Sequence, residues 1–283
     1  MQDLSKGEII LKADPVSEKQ NIKLKQKESK KKLQLPNWVW LILSLIAALL
    51  FWTMLSIIPT TSRSFPNVFL VVDSISTMLD RGVFWQDLSS SLISVLSGFG
   101  LGFVFSLPIA VLMAWYRPIQ NIIEPWIQFV RNIPPLAYVP LVVISAGVGR
   151  TPQIIVITIA TFLTMSITIY QGIKNIDPML IKAAKVLGAK DKDIFLKVVA
   201  PASLPFIMTA IRLGTAIGLT SLIAAESTGA QAGLGMRIRA LSNTYESSPM
   251  LMYIIIIGII GLIFEFVAKL LERKLTGWQE TRN

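Results

Sequence analysis

The chain has 283 residues, of which 53% are hydrophobic and only 16% are charged, and its mean hydropathy is +0.60. A soluble domain of average composition carries about a quarter charged residues, so this composition excludes an ordinary soluble protein and indicates a membrane protein. The sequence contains no Cys and no His, which excludes disulfides, cysteine metal sites and a histidine general base. We therefore predict no catalytic residue, no bound metal and no cofactor.

The N-terminal segment, residues 1–37, is polar and basic. It carries nine lysines, including a run of three at residues 30–32 directly before the first apolar stretch. A basic run beside a membrane span is typical of a topology signal, and lipid headgroups are a nearer anion for it than nucleic acid. We predict a disordered cytoplasmic segment and no nucleic-acid partner.

Six apolar stretches are long enough to cross the lipid bilayer, since a helix needs roughly 20 apolar residues to do so. The third stretch is interrupted by Arg131 and by Pro134-Pro135. The pattern predicts an all-α polytopic protein with a first helix and external loop over 38–87, a core over 88–272 and a tail over 273–283. The predicted spans are 38–58, 88–115, 122–146, 152–173, 204–225 and 250–271.

The distribution of positive charge predicts the orientation of these spans. The loop 174–203 carries six lysines, and the N-terminal segment and the residues from Lys269 onward are also basic. Because Lys and Arg concentrate on the cytoplasmic side of a membrane, we predict that both termini and this loop are cytoplasmic. The opposite side would hold only Arg63, Arg81, Arg150, Arg237 and Arg239.

Two of the predicted spans carry stripes of small residues at helical spacing. Such stripes let helix backbones approach closely in lipid, either within one chain or between two chains, and the sequence leaves both possibilities open. A nucleotide-binding turn at residues 98–102 is not supported, because the flanking strand and the downstream acidic residue are missing. The stripes consist of Ser94, Gly98, Gly102, Ser106 and Ala110, and of Ala210, Gly214 and Gly218.

The cytoplasmic loop 174–203 is predicted to fold into two short helices. Asp177-Pro178 is a helix start, with an N-cap acceptor before a proline, and Gly188 fits the left-handed position after a helix. A second helix is expected to end before Pro201, with an apolar face formed by Ile194, Phe195, Val198 and Val199. Such an element would rest on anionic lipid or dock a cytoplasmic protein, and composition alone does not choose between these.

The loop sequence resembles the EAA loop of ABC-importer permeases. The family pattern is Glu-Ala-Ala, three residues, Gly, nine residues and Ile-x-Leu-Pro. The chain matches it at Ala183, Ala184, Gly188 and Pro201, and departs from it at Lys182, Val198 and Ala200. The resemblance implies a coupling elbow between the fourth and fifth spans, which would seat these residues in a groove of a cytoplasmic ATPase.

Other segments are similar to the nitrate, taurine and aliphatic-sulfonate branch of these permeases, as is a basic residue at position 182. The resemblance implies a permease in the bacterial inner membrane that moves a small, anionic solute. It also implies cytoplasmic ABC ATPase subunits, a second permease chain and an extracytoplasmic substrate-binding protein as partners. We expect the second permease chain to be identical, although the sequence leaves a different second chain open. The similar segments are residues 131–141, 224–226, 233–235 and 275–278.

No Gly-x-x-x-x-Gly-Lys-Ser/Thr phosphate loop occurs in the sequence. We therefore predict that the chain is not an enzyme and that a separate partner hydrolyses ATP.

Charges and prolines inside spans are further candidates, because intramembrane charges are costly and mark functional sites by default. Arg131 and Arg212 are candidates to line a path for an anion, and pairing with backbone carbonyls or snorkelling to the interface would also explain them. Glu226 either forms a gate with the turn at 233–235, contacts the binding protein or marks the membrane edge. Pro134 and Pro135 are expected to break the helix and shape the cavity.

Other functions remain possible from the sequence alone. A secondary transporter or channel would predict an internal repeat, which the sequence does not show, and would leave the EAA-like loop unexplained. An ABC importer for an uncharged vitamin precursor is a closer alternative. A membrane-embedded hydrolase would require acidic or serine residues clustered at one membrane depth.

Overall fold

The computed structural model describes residues 36–277, without the side chain of Asn37. The predictions for the basic N-terminal segment therefore lie outside the described residues, as do those for the last six positions. Within 36–277 the chain is all-helical, with α-helices and one π-helical segment.

Eleven α-helices occur in the described range, numbered here in chain order. They are α1 (Asn37–Ile57), α2 (Val68–Asp80), α3 (Phe84–Trp115), α4 (Arg117–Arg131), α5 (Pro135–Ala146), α6 (Arg150–Lys174), α7 (Pro178–Val186), α8 (Asp191–Ile194), α9 (Ala200–Gly229), α10 (Leu234–Asn243) and α11 (Ser247–Thr276).

The chain divides into two compact units, Met1–Leu55 and Ser56–Asn283. Nearly all of α1 belongs to the first. This helix is apolar and exposed along most of its length, as expected for a helix that lipid surrounds. The second unit contains all the other helices.

Within residues 36–277, five helices are long and apolar enough to cross a membrane: α1, α3, α6, α11 and the continuous helical run Asp191–Gly229. A sixth span exists only if α4 and α5 are taken together, and these two helices meet at an angle of 99°. The structure therefore replaces the expected third span with a sharply bent pair. Pro134 and Pro135 cause the break, because a proline disfavours helical geometry in the residue before it and lacks an N–H donor.

Helix α6 lies at the centre of the second unit, between α3 and α9. The small residues of α3 face it in parallel register: a Cβ placed on Gly98 would lie 2.6 Å from Cβ of Ile157, and one on Gly102 would meet Thr161. From α9, a Cβ on Gly214 would meet Met165. The stripes thus serve packing within one chain, one of the two possibilities that the sequence left open.

The helix expected to end before Pro201 does not end there, so this prediction is wrong. Helix α8 continues through a π-helical segment, Phe195–Val199, directly into α9. Pro201 lies in the first turn of α9. Since proline cannot donate to a residue of the preceding turn, the wider π turn accommodates it without stopping the helix.

Candidate functional site

The 174–203 segment begins as its sequence predicts. The side chain of Asp177 accepts a hydrogen bond of 2.8 Å from the backbone N–H of Met179 and so caps α7. After α7 the chain turns at Gly188, whose φ of +80° lies in the left-handed region. This turn directs the chain back towards α8, so that the two helices share one apolar base.

The base of this segment is apolar and buried, whereas its outer side is exposed. Ile176, Ile194 and Val199 form the buried cluster, against which Ala184 packs. On the outer side Val186 and Leu187 are 87% and 86% exposed. Lys182, Ala183 and Gly188 are also exposed. The segment therefore presents large apolar side chains to its surroundings beside basic ones.

Arg131 lies where α4 ends, at the bend. Its side chain is exposed, and it forms no ion pair within residues 36–277. It borders a small cavity that Tyr138, Thr164 and Ile217 also line. Pro134 is exposed and Pro135 half-buried, both on the α5 side of the bend.

Arg212 has a different environment from Arg131. Its guanidinium forms ion pairs with two carboxylates of α11, Glu265 at 3.5 Å and Glu272. Lys269 also contacts Glu265, at 3.2 Å. These pairs join α9 to α11 and supply the neutralisation that a cation within a span requires. A path-lining role for Arg212 stays a prediction.

Glu226 is buried, at 1% exposure, in contact with the turn before α10. Its carboxylate accepts hydrogen bonds from the Ser91 hydroxyl, at 2.6 Å, and from the backbone N–H of Gly235, at 2.7 Å. The Ser91 hydroxyl in turn accepts from the N–H of Leu234, at 2.8 Å. Roles for Glu226 in a path or gate stay predictions.

Asp87 completes this polar cluster from α3 and is fully buried. It accepts hydrogen bonds from the N–H of Gly233, at 3.0 Å, and from Nε of Arg237, at 2.7 Å. The Tyr253 hydroxyl lies 3.4 Å away. The hydrogen bond to Asp87 raises the pKa of the Arg237 guanidinium, so Arg237 stays charged.

The first N–H groups of a helix lack partners within it, and side chains of two other helices satisfy those of α10. Asp87, Ser91 and Glu226 accept from three successive residues, Gly233 to Gly235. Helix α10 is thereby fastened to α3 and α9. Asp87 was missed because the predicted second span begins at residue 88, whereas α3 begins at Phe84. Ser91 lies within the predicted span, but nothing in its sequence neighbourhood indicates its distant partners.

The comparisons with known proteins decide the family. A family described as "Binding-protein-dependent transport system inner membrane component" matches residues 102–277. The chain belongs to this family. It is therefore a multi-pass inner-membrane permease of the ABC-importer class, as the resemblance of its loop indicated.

Two relatives agree with this membership. A probable ABC transporter permease of Brucella abortus is 41% identical over 215 residues, which cover 76% of this chain and 86% of that protein. The taurine transport system permease TauC of Escherichia coli is 30% identical over 265 residues, which cover 91% of this chain and 96% of that protein. The similarity to TauC bears out the resemblance to the nitrate, taurine and aliphatic-sulfonate branch of the permeases.

A solved structure has the same fold. A chain from an inward-facing structure of the MetNI methionine ABC transporter matches with a TM-score of 0.60 at 20% identity, and the match covers 68% of this chain and 96% of that one. At this identity the match shows the fold alone. It supports the helical arrangement described above.

Proposed function

We propose that this permease forms the translocation path for a small anionic solute of the sulfonate, taurine or nitrate class. A separate cytoplasmic ATPase drives it, an extracytoplasmic binding protein delivers the solute, and a second, identical chain completes the path. Both termini lie in the cytoplasm, which the charge distribution of the sequence supports.

The outer side of the 174–203 segment carries this proposal. Val186 and Leu187 are more than four-fifths exposed, although they lie at the end of a capped helix on a buried base. Large apolar side chains at the end of a lysine-rich surface mark an interaction site. Docking of the ATPase covers them and transmits its motion through α8 and the π-helical segment to α9.

Two observations support an anionic solute. Arg131 is an exposed guanidinium at the bend of α4 and α5, and a charge within a spanning region indicates a transport path. The relative TauC is named for taurine transport, and taurine carries a sulfonate group. An unpaired arginine on a hydrated path lowers the electrostatic cost of moving such a group across the membrane.

The subunit assignment is tested by purifying the tagged protein in mild detergent and identifying its partners by mass spectrometry. We expect a stoichiometric ATPase with a phosphate-binding loop, together with the binding protein. A permease that emerges alone, even after cross-linking at the 174–203 segment, would contradict the proposal and favour a channel or secondary transporter.

The solute class is tested with the co-purified binding protein. Sulfonates, taurine and nitrate are titrated calorimetrically, with an uncharged amide of similar size as the control. Binding of a sulfonate, taurine or nitrate but not of the amide supports the proposed class. Binding of uncharged compounds alone would contradict it while leaving the importer assignment intact.

A further inference from the structure

Helix α4 has three different faces. One is apolar and packs against α3 and α6 in the core. A second is apolar but open, with Ile122, Trp126 and Phe129 exposed by 67%, 66% and 63%. The residues on the first face are Ile119, Ile123, Ile127 and Val130.

The third face, termed here the polar face of α4, carries hydrogen-bonding and charged side chains. At 3.6 residues per turn its members fall in one stripe, on the side of the helix away from the exposed apolar face. Its residues are Gln120, Asn121, Glu124, Gln128 and Arg131. An open groove of about 450 Å³ lies against all of these except Arg131.

The polar face has few partners within the described part of the chain. The Glu124 carboxylate accepts hydrogen bonds from the side-chain amides of Gln120, at 2.9 Å, and Gln128, at 3.4 Å. Both donors belong to α4 itself, and from α6 the Tyr170 hydroxyl and the Lys174 ammonium also interact with this carboxylate. Asn121 and Arg131 remain exposed, so the face offers donors and a cation to its surroundings.

Helix α4 forms one half of the bent pair that, taken together, is long and apolar enough to cross a membrane. Polar and charged side chains are costly against lipid and, within spans, face a bundle interior or a water-filled cavity. The exposed apolar face of α4 is the face suited to contact lipid, so the polar face need not do so. The polar face carries both a carboxylate and a guanidinium that has no ion-pair partner within the described residues. Contact with water and a solute therefore suits this face better than an interface between two chains from which water is excluded.

We propose that the polar face of α4 lines the water-filled translocation path and binds the solute in transit. Its amides supply hydrogen-bond donors to a small polar solute, and Arg131, about two helical turns beyond Glu124, binds the anionic group of that solute. This inference rests on the proposed function, since it identifies the path of the same importer.

Substituted cysteines test the inference directly, because the native chain contains no Cys. Two pairs of variants are compared in the reconstituted permease–ATPase complex: Gln120→Cys with Ile122→Cys, and Gln128→Cys with Phe129→Cys. Each pair lies at nearly the same depth and differs only in its face. The probe is a membrane-impermeant anionic methanethiosulfonate, whose reaction is followed by mass spectrometry.

Only the thiolate reacts, and it forms where water is available, so we expect the cysteines of the polar face to react at least about tenfold faster than their partners. Saturating sulfonate or taurine should slow the reaction at the polar face and leave the controls unchanged. Equal rates within both pairs would overturn the inference.

The outcomes also separate this inference from the proposed function. Slow reaction at the polar face in a complex that retains its ATPase overturns the proposed path but leaves the importer assignment intact. If no ATPase binds the permease and it is reconstituted alone, fast reaction at the polar face supports the proposed path and contradicts the importer assignment. The two independent pairs keep the test valid if one variant fails to assemble.

Discussion

At the scale of single residues, the turn after α7 depends on Gly188. Its φ of +80° is accessible to glycine without strain. For other L-residues, left-handed backbone geometry raises the free energy by about 1 to 2 kcal/mol. A Cβ at this position would meet nothing within 4 Å. The requirement for glycine is therefore conformational and not steric.

Gly188→Val is expected to uncouple ATP hydrolysis from transport while leaving the protein in the membrane. Valine is strongly disfavoured at positive φ, so the loop shifts, and we expect uptake to fall about tenfold, a factor that corresponds to about 1.4 kcal/mol. Uptake and ATPase rates are measured in the same proteoliposomes. Gly188→Asn, which tolerates this geometry, should retain coupling, and normal uptake by the valine variant would refute the assignment.

The Asp87–Arg237 pair also acts at the scale of residues. Asp87→Ala leaves the Arg237 guanidinium and the Gly233 N–H without their acceptor, and removing one partner of a buried pair costs about 3 kcal/mol or more. We expect a clear loss of thermal stability in detergent. Arg237→Ala should then cost less in the Asp87→Ala background than in the native chain, and equal costs in both backgrounds would show that the pair is not coupled.

At the scale of elements, the close approach of α3 and α6 depends on glycines of one face only. Gly98→Ala places a methyl group 2.6 Å from Cβ of Ile157, whereas a Cβ on Gly100 meets nothing within 4 Å. Overpacking costs about 1 to 3 kcal/mol, so Gly98→Ala should lower the Tm. Gly100→Ala, the matched control, should leave it unchanged or raise it, and equal effects would contradict the described packing.

The sequence predicted these elements to differing extents. The length of the apolar stretches predicted the spans, because a helix needs about 20 apolar residues to cross lipid. Asp177-Pro178 and Gly188 predicted the two ends of α7, because helix caps depend on residues that are neighbours in the sequence. The 99° bend and the continuous passage through Pro201 were not predictable, since the angle and the π turn depend on how neighbouring helices pack. Asp87 and Ser91 were missed because their partners lie more than 130 positions away in the sequence.

The polar face of α4 shows another limit of prediction from sequence. Its spacing, Gln120 to Glu124 to Gln128, is visible in the sequence as a helical repeat of four. Of this face only Arg131 was named as a candidate from the sequence, because arginines were the only intramembrane charges considered and the predicted third span begins at residue 122. A search for all polar side chains at helical spacing would have found this stripe.

At the scale of the whole molecule, the docking surface and the proposed path lie on different elements that α6 connects. The exposed end of the 174–203 segment would receive the motion of the ATPase. Helices α6 and α9, which this segment joins, are packed tightly through glycines on α9. Motion at the segment would therefore reach the bend near Arg131 through rigid helices.

Site-specific cross-linking tests the central claim most directly, namely that the 174–203 segment docks an ATPase. A photoreactive amino acid replaces Leu187 in one variant and Tyr245, which is 91% exposed and lies beyond the opposite end of α9, in another. Irradiation of native membranes should join the Leu187 variant, and not the Tyr245 variant, to an ATPase with a phosphate-binding loop. An adduct at Tyr245 but not at Leu187, or no ATPase adduct at either position, would contradict the claim.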